Sequence, residues 1–290
     1  MPQLVTLESV ERDQRLDPVA DKLRTAVRAV LRRNRAVKDA LHGTWLGHPV
    51  HPLLVQVPIG AWVSAGLLDA LPGSGKAPSR LIAAGVLAAL PAATTGLTDW
   101  SELHPEQARV GLVHATSNYG ALGCYLLSLR ARRRGHGLRG RLLGYAGLAL
   151  VTTGGAIGGH LSYRQAAGVN HAEQVPHLVP PGWHDVAAAS ELEEGRPIER
   201  ELGGVRIMLL RKADVVHALA NHCSHLSGPL HEGELTHDRA GEPCVSCPWH
   251  GSTFRLRDGS VVHGPATAPQ PAFETRIVGD RVEVMLPGAG

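Results

Sequence analysis

Asn221-His222-Cys223-Ser224-His225-Leu226-Ser227-Gly228-Pro229-Leu230, followed by Cys247-Pro248-Trp249-His250-Gly251-Ser252-Thr253-Phe254, decides how the C-terminal third of the chain folds. The two runs supply Cys-x-His and Cys-x-x-His, with 21 residues between the pairs. Two thiolates and two imidazoles suit a zinc ion, and equally a [2Fe–2S] cluster with both Cys on one iron and both His on the other. Short apolar strands flank the runs. Val205–Leu210 and Val215–Ala220 enclose Arg211–Asp214; Phe254–Leu256 and Val261–His263 enclose Arg257-Asp258-Gly259-Ser260; Phe273–Val278 and Arg281–Leu286 enclose Gly279-Asp280. Each pair reads as a hairpin, with Asp-Gly the strongest turn signal. An all-β domain over 182–290 is expected.

The surroundings favour iron–sulfur over zinc, because each run carries one Cys and one His instead of segregating them. The Cys-Pro-Trp-His-Gly-Ser run and the Gly-Pro-Leu after the first pair resemble the Rieske domain, as does Gly264-Pro265-Ala266-Thr267-Ala268-Pro269-Gln270-Pro271, which is similar to the proline-rich loop that covers the cluster in that family. The resemblance implies a [2Fe–2S] cluster with Cys223 and Cys247 on the inner iron and His225 and His250 on the outer one. Gly228 and Trp249 stand where quinol-oxidising members carry an extra disulfide, so the domain resembles the simpler, ferredoxin-like branch. Ser252 matches a position that donates a hydrogen bond to a cluster sulfide. Phe254 stands where high-potential members have Tyr, which implies a potential in the middle or lower part of the Rieske range. Cys244 is expected in a strand core and Cys124 in helix packing, with His222 and His231 at the surface.

Outward from this domain the composition changes. The chain has 290 residues with a net charge of +3, too weak a balance to argue for nucleic acid. Basic and acidic residues number nine and six in 1–42, ten and five in 43–181, and ten and fifteen in 182–290. A basic, apolar middle thus precedes an acidic, soluble-looking end. Four cysteines in this length exclude a disulfide-stapled scaffold, and 43% hydrophobic residues exclude disorder.

The middle contains Pro52–Leu71, Leu81–Leu97, Val110–Leu129 and Leu142–Leu161, each of 17–20 residues, sparse in polar groups and long enough to span a bilayer. The expected architecture is multidomain: a basic amphipathic helix in 1–42, a four-helix transmembrane bundle in 43–165, a linker in 166–181 and the all-β Rieske domain in 182–290. Within the first segment, Asp17 and Pro18 predict the start of one helix running over 17–41, suited either to a lipid surface or to packing on its own protein. Gly154/Gly158 and Gly155/Gly159 predict close helix approach or room for a flat cofactor. Gly47-His48-Pro49-Val50-His51-Pro52-Leu53-Leu54-Val55 resembles an uncharacterised four-helix bacterial membrane family, some members of which are fused to Rieske domains.

Four crossings place His42, His48, His51, His104, His114, His160, His171 and His177 at one end and only His136 at the other. Ionisable groups at such depths mark functional candidates. His51, His114 and His160 are therefore expected to hold haem or a quinone, or else to be interfacial polar residues. The whole is expected to be a plasma-membrane electron-transfer protein whose partners are lipid and a redox protein, with no nucleic acid. A redox sensor, in which the cluster state controls the membrane domain, is the alternative. A self-contained oxygenase is not expected, because a further domain with a mononuclear iron site is lacking. The Rieske domain is expected on the cytoplasmic side, where clusters are assembled. Arg32, Arg33, Arg35 and Lys38 agree, whereas the arginine-rich 130–141 loop opposes it.

Overall fold

A computed structural model describes residues 7–288. In chain order the helices are α1 (Leu7–Arg12), α2 (Asp17–Leu31), α3 (Arg35–His42), α4 (Val50–Leu54), α5 (Gln56–Ala70), α6 (Ala77–Trp100), α7 (Pro105–Arg133), α8 (Gly137–Tyr163) and α9 (Val175–Leu178). Ten strands follow: β1 (His184–Ala188), β2 (Ile198–Leu202), β3 (Val205–Lys212), β4 (Val215–Ala220), β5 (Glu234–His237), β6 (Pro243–Ser246), β7 (Thr253–Arg255), β8 (Val261–His263), β9 (Ala272–Val278) and β10 (Arg281–Met285). They separate into a helical unit, residues 7–35 with 50–167, and a β unit, residues 36–49 with 168–288. The division differs from the expected boundary at 42/43, because the segment before the first long apolar helix packs with the strands.

The expected helix over 17–41 is broken at Arg32-Arg33-Asn34. Asp17 does not cap it either. A short turn capped by Asp13 precedes Asp17, and both Asp17 carboxylate oxygens accept hydrogen bonds from Arg109, at 2.6 and 2.9 Å. α2 is fastened to the end of α6 by Arg24, whose guanidinium donates to the Ser101 and Leu103 carbonyls, and by Arg28 against the buried Glu102 at 3.3 Å. Val19, Leu23 and Val30 on the same helix stay exposed.

Among the described residues, three spans are long and apolar enough to cross a membrane by length and composition: Val50–Ala70, Ala77–Trp100 and Gly137–Tyr163. Length and composition thus support three of the four expected crossings. α7, at 29 residues, has the length of the fourth, and His114, Thr116, Ser117 and Asn118 make it the least apolar of them. Those side chains are spent on helix carbonyls: Ser117 donates to Leu150 on α8 at 2.8 Å, and Thr116 to Leu112 at 2.8 Å. Trp62 of α5 stacks on Tyr125 of α7 with centroids 4.4 Å apart, at the centre of a small core with Ala65, Ile82, Ala121 and Val151. Gly85 is what admits the indole, since a Cβ there would lie 2.3 Å from the Trp62 Nε1.

In the β unit a six-stranded sheet runs β1-β10-β9-β4-β3-β2 and a four-stranded one β5-β6-β7-β8, all neighbours antiparallel. The three predicted hairpins form, and Ala213, Gly259 and Gly279 take the left-handed conformation their turns demand. β3 is apolar on both faces for a reason. Ile207 and Leu209 enter one core with Val216, Val282 and Val284, while Met208 and Leu210 enter a second with Leu219, Val245 and Phe254. The second core also holds Cys223 and Cys247.

Candidate metal centre

Three loops meet above that second core: 221–230 after β4, 247–252 between β6 and β7, and 264–271 between β8 and β9. The first is closed by Cys223 N–H to the Gly228 carbonyl at 2.9 Å, with Ser227 in a left-handed conformation. The second is closed by Cys247 N–H to the Ser252 carbonyl at 2.8 Å, with Gly251 left-handed. These closures turn backbone N–H groups inward. Those of His225 and Leu226 donate to the Cys223 sulfur, and those of Trp249 and His250 to the Cys247 sulfur.

The two sulfurs are buried and share a hydrogen bond. Donating that bond, and burial, hold the Cys223 thiol well above its ordinary range; accepting it brings Cys247 down to about 7 despite burial. His225 and His250 are half-buried, with ring centroids 5.1 Å apart and planes at 88°. Among the described residues, no three of His, Cys, Asp or Glu converge as a single-ion site. The donors stand as a thiol pair and an imidazole pair. A tetrahedral zinc needs its four ligands about one point, whereas two unlike pairs fit a cluster of two irons. Gly228 has no room for a side chain, because a Cβ would lie 2.7 Å from the Cys247 sulfur and 3.1 Å from the Trp249 ring. All four cysteines are free.

Several supporting residues escaped the sequence reading. Gln270, wholly buried, accepts from Ser224 N–H at 2.9 Å and donates to the Ala220 and His222 carbonyls at 2.6 Å each, pinning the first loop to the third. Its only sequence signal was its place between two prolines. Buried Asn221 accepts from His231 N–H at 2.8 Å and bonds Glu199 and the His231 ring, so His231 belongs to a network and only His222 lies at the surface. Asp39, far upstream on α3, bonds His263 Nδ1 at 2.7 Å and accepts Gly264 N–H at 3.0 Å. Ser252 Oγ accepts from Ala266 N–H at 3.0 Å.

In the helical unit, His51 Nδ1 donates to the Ala92 carbonyl and His114 Nδ1 to the Gly154 carbonyl, each at 2.8 Å. The two rings lie within electrostatic reach of one another. Asn118 lies 3.2 Å from His114 Nε2. Gly154 and Gly158 make room for Asn118 and His114, while Gly155 has nothing near it. His160 is not brought to the other two; its Nε2 sits 2.7 Å from the Glu11 carboxylate.

Residues 182–274 match the Rieske [2Fe-2S] domain, and residues 47–171 match a predicted membrane protein family, DUF2231. The anthranilate 1,2-dioxygenase ferredoxin subunit of Burkholderia cepacia is 33% identical over 102 residues, 35% of this chain and 90% of its own length. Apoptosis-inducing factor 3 of Homo sapiens is 32% identical over 121 residues, covering 39% of this chain; the chain spans only 19% of that protein. A solved ferredoxin of carbazole 1,9a-dioxygenase from Nocardioides aromaticivorans is 28% identical, with a TM-score of 0.33, over 36% of this chain and 97% of its own. With its paired thiols and imidazoles on the matched loops, the chain belongs to the Rieske [2Fe-2S] family through its C-terminal domain and joins that domain to a DUF2231 membrane domain.

Proposed function

We propose that Cys223, His225, Cys247 and His250 hold a [2Fe–2S] cluster and that the protein passes single electrons at a membrane. The observation that carries this reading is the pairing of buried thiols beneath half-buried imidazoles at the tips of two adjoining loops. When bound, such a cluster takes up and releases one electron, more readily reduced than an all-thiolate cluster because its imidazole ligands are neutral. The chain's own groups prepare that site. Four backbone N–H groups stabilise charge on the two sulfurs. The Ser252 oxygen is satisfied by Ala266, so its O–H hydrogen is available to the site. Phe254, wholly buried, offers no second hydroxyl, which supports a middle or low Rieske potential. The histidines lie nearer the surface than the sulfurs, so a redox partner protein docks at their end.

The DUF2231 unit anchors the domain in the plasma membrane, with the Rieske domain on the cytoplasmic side. A reporter fused at the C-terminus that is active only outside the cytoplasm overturns that orientation. A second redox site in the bundle rests on His51 and His114. Each commits Nδ1–H to a carbonyl, as a ligating imidazole does, which leaves Nε2 as the lone-pair nitrogen for haem iron or a quinol hydroxyl; at His114 the Asn118 amide, 3.2 Å from Nε2, must give way first. His160 is left out of this site because Glu11 engages it. Ultraviolet–visible and electron paramagnetic resonance spectra of the detergent-solubilised chain test both parts. A Rieske signal is expected, and its absence from iron-replete protein overturns the cluster. A haem Soret band, or extractable quinone, that is lost in His51→Ala and His114→Ala supports the bundle site.

A further inference from the structure

At the end of the helical unit where α5 gives way to α6 and α7 to α8, a cavity of about 350 Å³ opens. Three separate segments line it: the α5–α6 loop with Lys76, the end of α7 with Arg132, and the start of α8 with Arg141. Asp69 is the sole carboxylate in the lining, and both its oxygens are taken by Arg132, at 2.9 Å for Nη1 to Oδ1. The Arg132 Nε donates to Ser128 Oγ one turn back on α7 at 3.1 Å, and Gly140 and Gly144 of α8 leave room for the side chain. Lys76 and Arg141 are exposed, and no carboxylate of the lining remains to neutralise them. Ser79 in the first turn of the 24-residue α6 adds a hydroxyl, and the helix start adds its partial positive charge. Gly73 and Gly75 take left-handed conformations with open space beside them, so at these two positions the loop brings backbone and not side chain to the cavity.

A net positive, polar cavity of this size calls for an anion. Its depth identifies the source. It sits at the ends of the Val50–Ala70, Ala77–Trp100 and Gly137–Tyr163 spans, the level at which a bilayer carries its phosphates. We propose that this cavity is a binding site for the headgroup phosphate of an anionic phospholipid, with Lys76 and Arg141 as its cations and the Asp69–Arg132 pair as its rigid floor. Basic pockets between transmembrane helices recognise acidic headgroups through this chemistry.

The test uses the full chain in a neutral detergent. Phosphatidylglycerol, phosphatidylcholine and inorganic phosphate are titrated separately, and both retained lipid, by native mass spectrometry, and the thermal midpoint of the helical signal are read. Phosphatidylglycerol is expected to be retained and to raise the midpoint, phosphatidylcholine and inorganic phosphate not. Lys76→Gln with Arg141→Gln is expected to weaken phosphatidylglycerol binding about 30-fold. Arg133→Gln with Arg139→Gln, which removes two exposed cations outside the cavity, is expected to leave it unchanged. Equal losses in the two double variants, equal retention of phosphatidylcholine, or no retention by the unaltered chain overturns the proposal. The same midpoint shift from inorganic phosphate overturns the lipid as its source.

Discussion

In the β unit Ile207, Leu209, Leu210 and Leu219 are wholly buried, whereas in the helical unit Leu67, Leu87 and Leu142 are 66%, 69% and 61% exposed. Interior positions of the helical unit go instead to Ala65, Thr95, Thr98 and Ser128. The two units distribute the same residue types in opposite senses. Water drives leucine inward in one. In the other, leucine faces outward because hydrocarbon is as apolar as the side chain, and small residues let the helices approach. Buried hydroxyls follow the same logic. Thr98 donates to the Thr94 carbonyl at 2.9 Å and Ser128 to the Gly140 carbonyl at 2.6 Å, so neither hydroxyl is left for lipid to satisfy.

The sharpest way to break this contrast is at the candidate cluster. Cys223→Ser and Cys247→Ser are each expected to abolish the Rieske resonance and visible bands entirely, while the helical unit stays in the membrane fraction. A full cluster in both variants ends the ligand assignment, and loss of membrane association denies that the units are independent.

Next in size is the Asp69–Arg132 pair, a buried ion pair in the helical unit whose two side chains are 4% and 12% exposed. Asp69→Ala leaves a guanidinium uncompensated and is expected to cost about 3–5 kcal/mol, read by unfolding of the helical signal in detergent. Asp69→Leu combined with Arg132→Met is expected to recover most of that loss. A double variant as unstable as Asp69→Ala would show that the pair does more than neutralise itself.

Leucine truncation sharpens the comparison directly. Leu209→Ala is expected to cost about 3 kcal/mol in the β unit, through lost transfer energy and a cavity. Leu87→Ala, in detergent, is expected to change stability by less than about 0.5 kcal/mol. Equal costs would mean that Leu87 is covered by protein and not by an apolar solvent.

The smallest effect is a pH dependence confined to the β unit. Burial, outweighing the hydrogen bond to the Leu256 backbone, holds His217 below the ordinary imidazole value of 6.5. The folded state therefore prefers the neutral ring, and as pH falls below 6.5 the unfolded chain takes up the proton first. Stability is complete above that value and declines beneath it. Thermal midpoints read from the cluster bands between pH 7.5 and 5.5 should fall more steeply in the unaltered chain than in His217→Gln; parallel slopes would remove His217 from the account.

Much of this was legible in local sequence. The hairpins were visible because period-2 apolar runs and Asp-Gly turns are short-range signals, and the Cys and His pairs because each lies within a few residues of one loop. The apolar helices were visible through length alone. What failed to show was contact at long range. Asp17 reads as a cap until Arg109 claims it, and Asp39 reads as one more charge on a basic helix until it meets His263 and Gly264.

By itself, then, the sequence determined that an apolar helical segment precedes an all-β domain carrying two Cys–His loops, since hydropathy and spacing are properties of neighbours along the chain. Tertiary structure alone decided that α7 turns its polar residues onto carbonyls of its own helix and of α8, that Gln270 clamps the first loop, that His160 goes to Glu11, and that Lys76, Arg132 and Arg141 share one cavity. The physical reason is common to all four. A hydrogen bond or an ion pair is specified by where two groups end up, and groups tens of residues apart meet only once packing has fixed the helices and loops between them.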